Sequence, residues 1–145
     1  MTPISLVDVN VVFAILVEKH THHHTAWRWW QQRRDDTVVL TLPVKLGTLR
    51  LLTNKAAMEG SPVSPEEALT AWEKFEKDPR TRWLPEPGLA QEIHFRRFVA
   101  GRPAGPNLWT DAWLAALAEV SAISLTSFDT GFHSFGMRDF ELLKG

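Results

Sequence analysis

Apolar and polar positions along this chain fall into blocks whose lengths suit strands and helices in turn. Ile4-Ser5-Leu6-Val7 is a short apolar run that stops at Asp8, and Val11 to Glu18 is long enough for two helical turns. His20 to Thr25 is expected to be a connecting loop. Ala26, Trp27 and Trp30 then recur at helical spacing, with Arg28, Arg33 and Arg34 toward solvent and Asp35-Asp36 closing the helix. Val38 to Leu42 is β-branched and continuous, as in a strand covered on both faces, and Pro43 suits the first turn of a helix carrying Leu46, Leu49 and Leu52. Ser61-Pro62 breaks the chain. Ser64-Pro65-Glu66-Glu67 has a capping Ser and a Glu three residues on, which marks the start of a helix bearing Ala68, Leu69, Trp72 and Phe75. Trp83-Leu84 fits a short third strand between Asp78-Pro79 and Pro85-Glu86-Pro87, and Leu89 to Ala100 a helix closed by Gly101. After a Gly101 to Pro106 loop, Trp109 to Val120 is Ala-rich and helical, and Ala122 to Thr126 is a strand ending just before Asp129. Strands alternating with helices predict an α/β domain of three layers with a mostly parallel sheet.

Composition narrows the picture. The chain has 145 residues, 44% of them apolar, 16 Lys+Arg against 17 Asp+Glu, a formal net charge of -1 and no Cys. That length suits a single domain over residues 1–145, able to bury a core without disulfides or a zinc-thiolate site. Near-neutral charge argues against nucleic-acid binding by bulk electrostatics, so any such chemistry would be directed by a local site. The longest apolar run, Val9 to Val17 broken by Asn10, is about half of a membrane span and follows no basic segment, so a cytoplasmic protein with no membrane partner is expected. Seven Trp with no Tyr fits large core fillers.

Ligands in parallel sheets gather outside the carboxyl ends of the strands. The pattern alone puts Asp8 and Asp129 there, and Asp111 opens the helix leading into the last strand. Each has an ordinary structural use as well, Asp8 and Asp111 as helix caps and Asp129 in a turn. Together they suggest more. Converging carboxylates resist ionising side by side, so such a cluster makes sense as an oxygen-rich site for Mg2+ or Mn2+. Ions of this kind activate water and neutralise charge on a phosphodiester, which favours phosphodiester hydrolysis.

Four segments in order carry a resemblance: Leu6-Val7-Asp8-Val9-Asn10-Val11, Leu49-Arg50-Leu51-Leu52-Thr53-Asn54, Trp109-Thr110-Asp111-Ala112-Trp113-Leu114-Ala115-Ala116 and Thr126-Ser127-Phe128-Asp129-Thr130-Gly131-Phe132. Across nearly the whole length the chain resembles the PIN-domain ribonucleases of VapC type. The resemblance implies a compact α/β/α fold and a toxin of a toxin-antitoxin pair. It implies RNA cleavage with Mg2+ or Mn2+, a homodimer, and restraint by a VapB antitoxin whose Arg or Lys enters the acidic site. Carried over, Asp8, Asp111 and Asp129 are the metal-binding and catalytic acids. Asn10, with Thr110 assisting, would hydrogen-bond a ligand carboxylate or a metal-bound water. The family usually supplies another acid at the start of the helix after the second strand, where this chain has Lys45. A protonated Lys cannot bind a hard cation. Three explanations stay open: one metal suffices and Lys45 contacts the scissile phosphate, activity is weakened, or another carboxylate such as Glu119 fills in.

Two other functional classes compete with the nuclease. One is a catalytically weak PIN-like binding module acting through protein partners. The other, a phosphotransferase using Asp8 as nucleophile, needs a second Asp two positions on, where Asn10 stands. The run His20-Thr21-His22-His23-His24 invites a transition-metal reading, but adjacent imidazoles point apart and no other ligand accompanies them, so a solvated loop is expected. Trp27, Trp29 and Trp30 suit core or dimer packing better than base stacking. Arg33-Arg34 fits a solvated helix end. Arg50, Arg96, Arg97 and Arg102 are candidates for gripping phosphate with two donors, although Arg96-Arg97 equally suits ordinary solvent-facing charge.

Overall fold

The computed structural model describes residues 3–85 and 88–145. Its elements run in the order β1 (Ser5–Val7), α1 (Val9–Leu16), α2 (His23–Gln31), β2 (Val38–Leu40), α3 (Leu42–Leu52), α4 (Pro65–Glu76), β3 (Thr81–Trp83), α5 (Leu89–Val99), α6 (Leu108–Ser121), β4 (Ser124–Ser127), a 3-10 helix (Thr130–Phe135) and β5 (Phe140–Leu142). All four strand pairings are parallel and the sheet order is β3-β2-β1-β4-β5. Residues of β1, β2 and β4 are buried throughout, so both faces of the sheet are covered. The helices pack mainly as two groups, α1 to α4 and α5 with α6, giving the α/β/α layering expected from the alternation.

Local chemistry explains the element starts. Asp8 caps α1 by accepting the Val9 N–H at 2.8 Å. At α4 the Ser64 hydroxyl accepts the Glu67 N–H and the Glu67 carboxylate accepts the Ser64 N–H, both at 3.1 Å, closing the anticipated capping box. The core is built from β1, β2 and β4 with Val11, Val12, Trp29, Trp30, Trp72, Leu114, Leu117 and Phe132.

The structure departs from the sequence expectations in several places. β2 stops at Leu40 because Thr41 turns to become the cap of α3. Ala122, expected in the last strand, instead ends α6 in the left-handed region at φ 55°, and β4 begins two residues later. The histidine segment is not a solvated loop. His23 and His24 open α2, the His23 ring bonds the Ala14 carbonyl at 2.7 Å, and only His24 of the four histidines is exposed. Along α2, Trp29 is buried with Trp30 while Trp27 is 41% exposed, because the helix turns Trp29 toward Glu141 of β5. Arg33 is no simple solvent-facing charge, since it bonds the Trp29 carbonyl at 3.0 Å and lies over the Trp29 ring. The 3-10 helix and β5 are elements the apolar pattern did not announce. Of the expected Pro85-Glu86-Pro87 break, Glu86 and Pro87 lie outside the described residues. No helix among the described residues is long and apolar enough to cross a membrane.

Candidate active site

The chain runs outward from β1 through β2 to β3, then returns to lay β4 along the opposite edge of β1. The two central strands are therefore where the sheet order switches direction, and the carboxyl ends of neighbouring strands part there to leave a crevice. Asp8 follows β1 directly and Asp129 stands two residues past β4. Asp111 lies in the first turn of α6, which faces the same opening. A cleft of about 520 Å3 is lined by all three, together with Asn10, Thr110, Asn107 and a wall from α3.

Ser127, the last residue of β4, ties the floor together. Its hydroxyl donates to Asp8 Oδ2 at 2.9 Å and accepts from the Asn10 amide at 3.1 Å and from the Asp129 N–H at 3.0 Å. The Asn10 Oδ1 accepts the Phe128 N–H at 3.2 Å, so Asn10 is clamped to the chain carrying Asp129. Asp129 in turn caps the 3-10 helix through the Gly131 N–H at 2.8 Å.

Asp8 and Asp129 thus serve as caps and site residues at once. Asp111 has no such bond: among the described residues no donor is placed on its carboxyl. Partial burial, and then the charges of Asp8 and Asp129, push it up from 3.8 to about 7. Burial likewise raises Asp8, against the Ser127 and Val9 hydrogen bonds that favour its ionised form. Three acids crowd one cleft.

Asn10, Thr110 and Arg50 line this cleft as the sequence suggested, and Lys45 does not. The α3 residues on the wall are Pro43, Leu46, Gly47, Arg50 and Leu51, a single helical face from which Lys45 is turned away. Glu119 cannot substitute for a missing acid, because it sits at the far end of α6 and holds Arg138 at 3.4 Å. Arg96 pairs with Glu92 and Arg102 with Ser134, and none of Arg96, Arg97 and Arg102 lines the cleft, so Arg50 is its guanidinium. Ser127 and Asn107 are the contributions that residue reading missed. A serine at a strand end gives no signal of its own, although Ser127 lies within the segment Thr126 to Phe132 that carries the resemblance.

The donor set is entirely oxygen and, in its acids, mutually repelling, which is the chemistry of a hard cation. Among the described residues no three acidic or imidazole side chains form a ready cage for a metal ion.

Comparison with known proteins agrees with this geometry. Ribonuclease VapC41 of Mycobacterium tuberculosis is 29% identical over 142 residues, spanning 95% of this chain and 97% of that protein. The crystal structure of VapC20 from Mycobacterium tuberculosis, described as a sarcin-ricin loop cleaving toxin, superposes with a TM-score of 0.67 at 20% identity, covering 92% of this chain and 95% of that one. VapBC2 of Rickettsia felis, solved bound to a promoter DNA fragment, superposes with a TM-score of 0.65 at 12% identity over 97% and 98% of the two chains. Residues 5–136 match the PIN domain, and on that match, with its switch-point acids in place, the chain belongs to the PIN-domain family.

Proposed function

We propose that this chain is a cytoplasmic endoribonuclease of VapC type, the toxin of a pair restrained by a VapB-like antitoxin. The observation that carries this is Asp111, a carboxyl with no structural bond, held up to about 7 opposite Asp8 and Asp129 in an open cleft. Relatives named as VapC ribonucleases support it.

Mg2+ or Mn2+ fits the donor chemistry, and Asp8, Asp111 and Asp129 would hold it. Among the described residues the acids form no closed cage, so waters would fill the remaining positions, as suits Mg2+. When bound, such an ion lowers the pKa of water and neutralises charge on phosphoryl oxygens. The chain's own residues do the rest. Ser127 fixes the Asp8 carboxylate, Asn10 and Thr110 offer polar atoms beside it, and Arg50 reaches phosphate from the opposite wall with two donors. Water attacks phosphorus, the P–O3′ bond breaks, and the products carry a 5′-phosphate and a 3′-hydroxyl.

The second reading, a weakly catalytic binding module, has one observation in its favour: the α3 wall offers Leu46 and Gly47 and no acid. Cleavage of a structured RNA by wild type, Asp111→Asn and Leu46→Glu, each with Mn2+ and with EDTA, decides between them. The ribonuclease cuts with Mn2+ alone and loses at least about a hundredfold in Asp111→Asn, an effect of a few kcal/mol on the barrier. No cutting by wild type, with cutting by Leu46→Glu, would establish the binding module instead.

We also propose a homodimer. Leu89 and Ile93, one turn apart on α5, are 76% and 61% exposed, and Trp109 at the start of α6 is 59% exposed. Apolar groups this open on adjacent helices suit burial against a second copy.

A further inference from the structure

A second cavity, about 670 Å3, opens beside the acidic cleft and shares Asn10 and Leu51 with it as a common wall. Its walls come from the end of α1, the histidine segment and the turn after α3. That volume lies within the range of small-molecule sites, roughly 300–1,000 Å3. Phe13, Val17 and Met58 supply apolar lining, and Lys19, His20 and Glu59 supply polar atoms.

The histidine segment is locked in place. The His20 ring stands edge-on to Phe13 at 5.4 Å between centroids, and the His22 ring stacks on Phe128, the residue before Asp129, at 4.8 Å. His20 Nδ1 accepts the His22 N–H at 3.0 Å, so the neutral imidazole must carry its proton on Nε2. Burial, and then the neighbouring His22 and His23, lower the His20 pKa and keep the ring neutral. The opposite wall is equally fixed. Asn54 accepts the Ala57 N–H at 2.8 Å, and Met58 donates its N–H to the Asn54 carbonyl at 3.0 Å.

We propose that this cavity is a nucleobase subsite, holding an unstacked base of the RNA next to the phosphate seated in the acidic cleft. The inference rests on the ribonuclease reading above. An apolar-walled cavity suits a base, and the His20 Nε2–H donor together with the Glu59 carboxylate in the same lining suits its hydrogen-bonding edge. Continuity through Asn10 and Leu51 joins the two sites as adjacent nucleotides of one strand. His20 is then a specificity residue, acting on which bond is cut and not on the cutting itself.

Two measurements test this. Cleavage of a random-sequence RNA pool by wild type and His20→Ala, with cut ends sequenced, should show a base preference at one flanking position that flattens in His20→Ala while cutting continues. A preference unchanged in His20→Ala overturns the subsite and leaves the ribonuclease reading standing. The binding readout needs no catalysis. Met58 is one of only three methionines, so its labelled methyl signal can be followed by NMR in Asp111→Asn. A trinucleotide should move that signal, the same trinucleotide with its bases removed should not, and His20→Ala should weaken the response about fivefold, the worth of one hydrogen bond. A Met58 signal that stays still while the Asp129 amide shifts would place the base elsewhere. Failure of wild type to cut any RNA would instead bring down the ribonuclease reading, and a base-dependent Met58 shift would still establish the cavity as a base-binding site.

Discussion

Between the ordinary carboxylate value of 3.8 and its own value of about 7, Asp111 keeps a proton in the folded protein that the unfolded chain has already released. The folded state therefore binds more protons than the unfolded state in that window, and stability falls as pH rises through it. Asp8, also raised, adds a dependence of the same sign. Asp111→Asn removes the charge and keeps the shape. Without metal, it should gain about 1–2 kcal/mol over wild type at pH 8 and nothing at pH 4, the full shift being discounted for partial exposure. Urea titrations at both pH values measure this, and saturating Mn2+ should cancel the difference at pH 8. Equal stabilities at pH 8 without metal would mean that the three acids do not strain one another. Ser127 is the complementary case, since it relieves strain. Ser127→Ala leaves Asp8, Asn10 and the Asp129 N–H each short of a partner, and should cost about 1–3 kcal/mol. Cleavage should fall further than stability, because Asp8 loses its orientation.

At the scale of elements, the cleft depends on how closely α3 approaches α1. Gly47 lies on the α3 wall, and a Cβ there would come within 2.7 Å of Val9 Cγ2. Gly47→Ala should push the two helices apart, cost about 1–3 kcal/mol in thermal unfolding and lower RNA cleavage through the displaced wall. An unchanged melting temperature would show that Val9 yields freely. Much of this level was legible in the chain itself. The capping box at Ser64 and Glu67 and the buried run Val38-Val39-Leu40 announce their elements because their signals are local. Asp8 and Asp129 were legible for the same reason, each closing a strand. What stayed hidden depends on contacts distant in sequence. Phe140-Glu141-Leu142 is too short to signal a strand and becomes one only beside β4. Trp29 is chosen over Trp27 for burial because Glu141, a residue far along the chain, accepts its indole N–H at 3.1 Å. The resemblance put Lys45 at the position of the family's usual acid, whereas helical rotation brings Leu46 and Gly47 to the wall.

At the scale of the whole molecule, the proposed dimer rests on the open apolar side chains of α5 and α6. Ile93→Glu should shift the protein from dimer to monomer in analytical ultracentrifugation with little change in the melting temperature of dilute samples, since Ile93 is 61% exposed and stands outside the core cluster of the described residues. A wild type already monomeric at high concentration would remove the proposed dimer. The order of the sheet has a separate consequence, in time. The serine that holds Asp8 follows it by 119 positions, and β1 completes its pairing only with Ser124, Leu125 and Thr126. At about 5–20 residues per second, synthesis leaves an interval of order ten seconds in which the first acid exists without its site. Under the toxin reading proposed above this is a delay fuse, because a chain that has not yet made β4 carries no assembled centre.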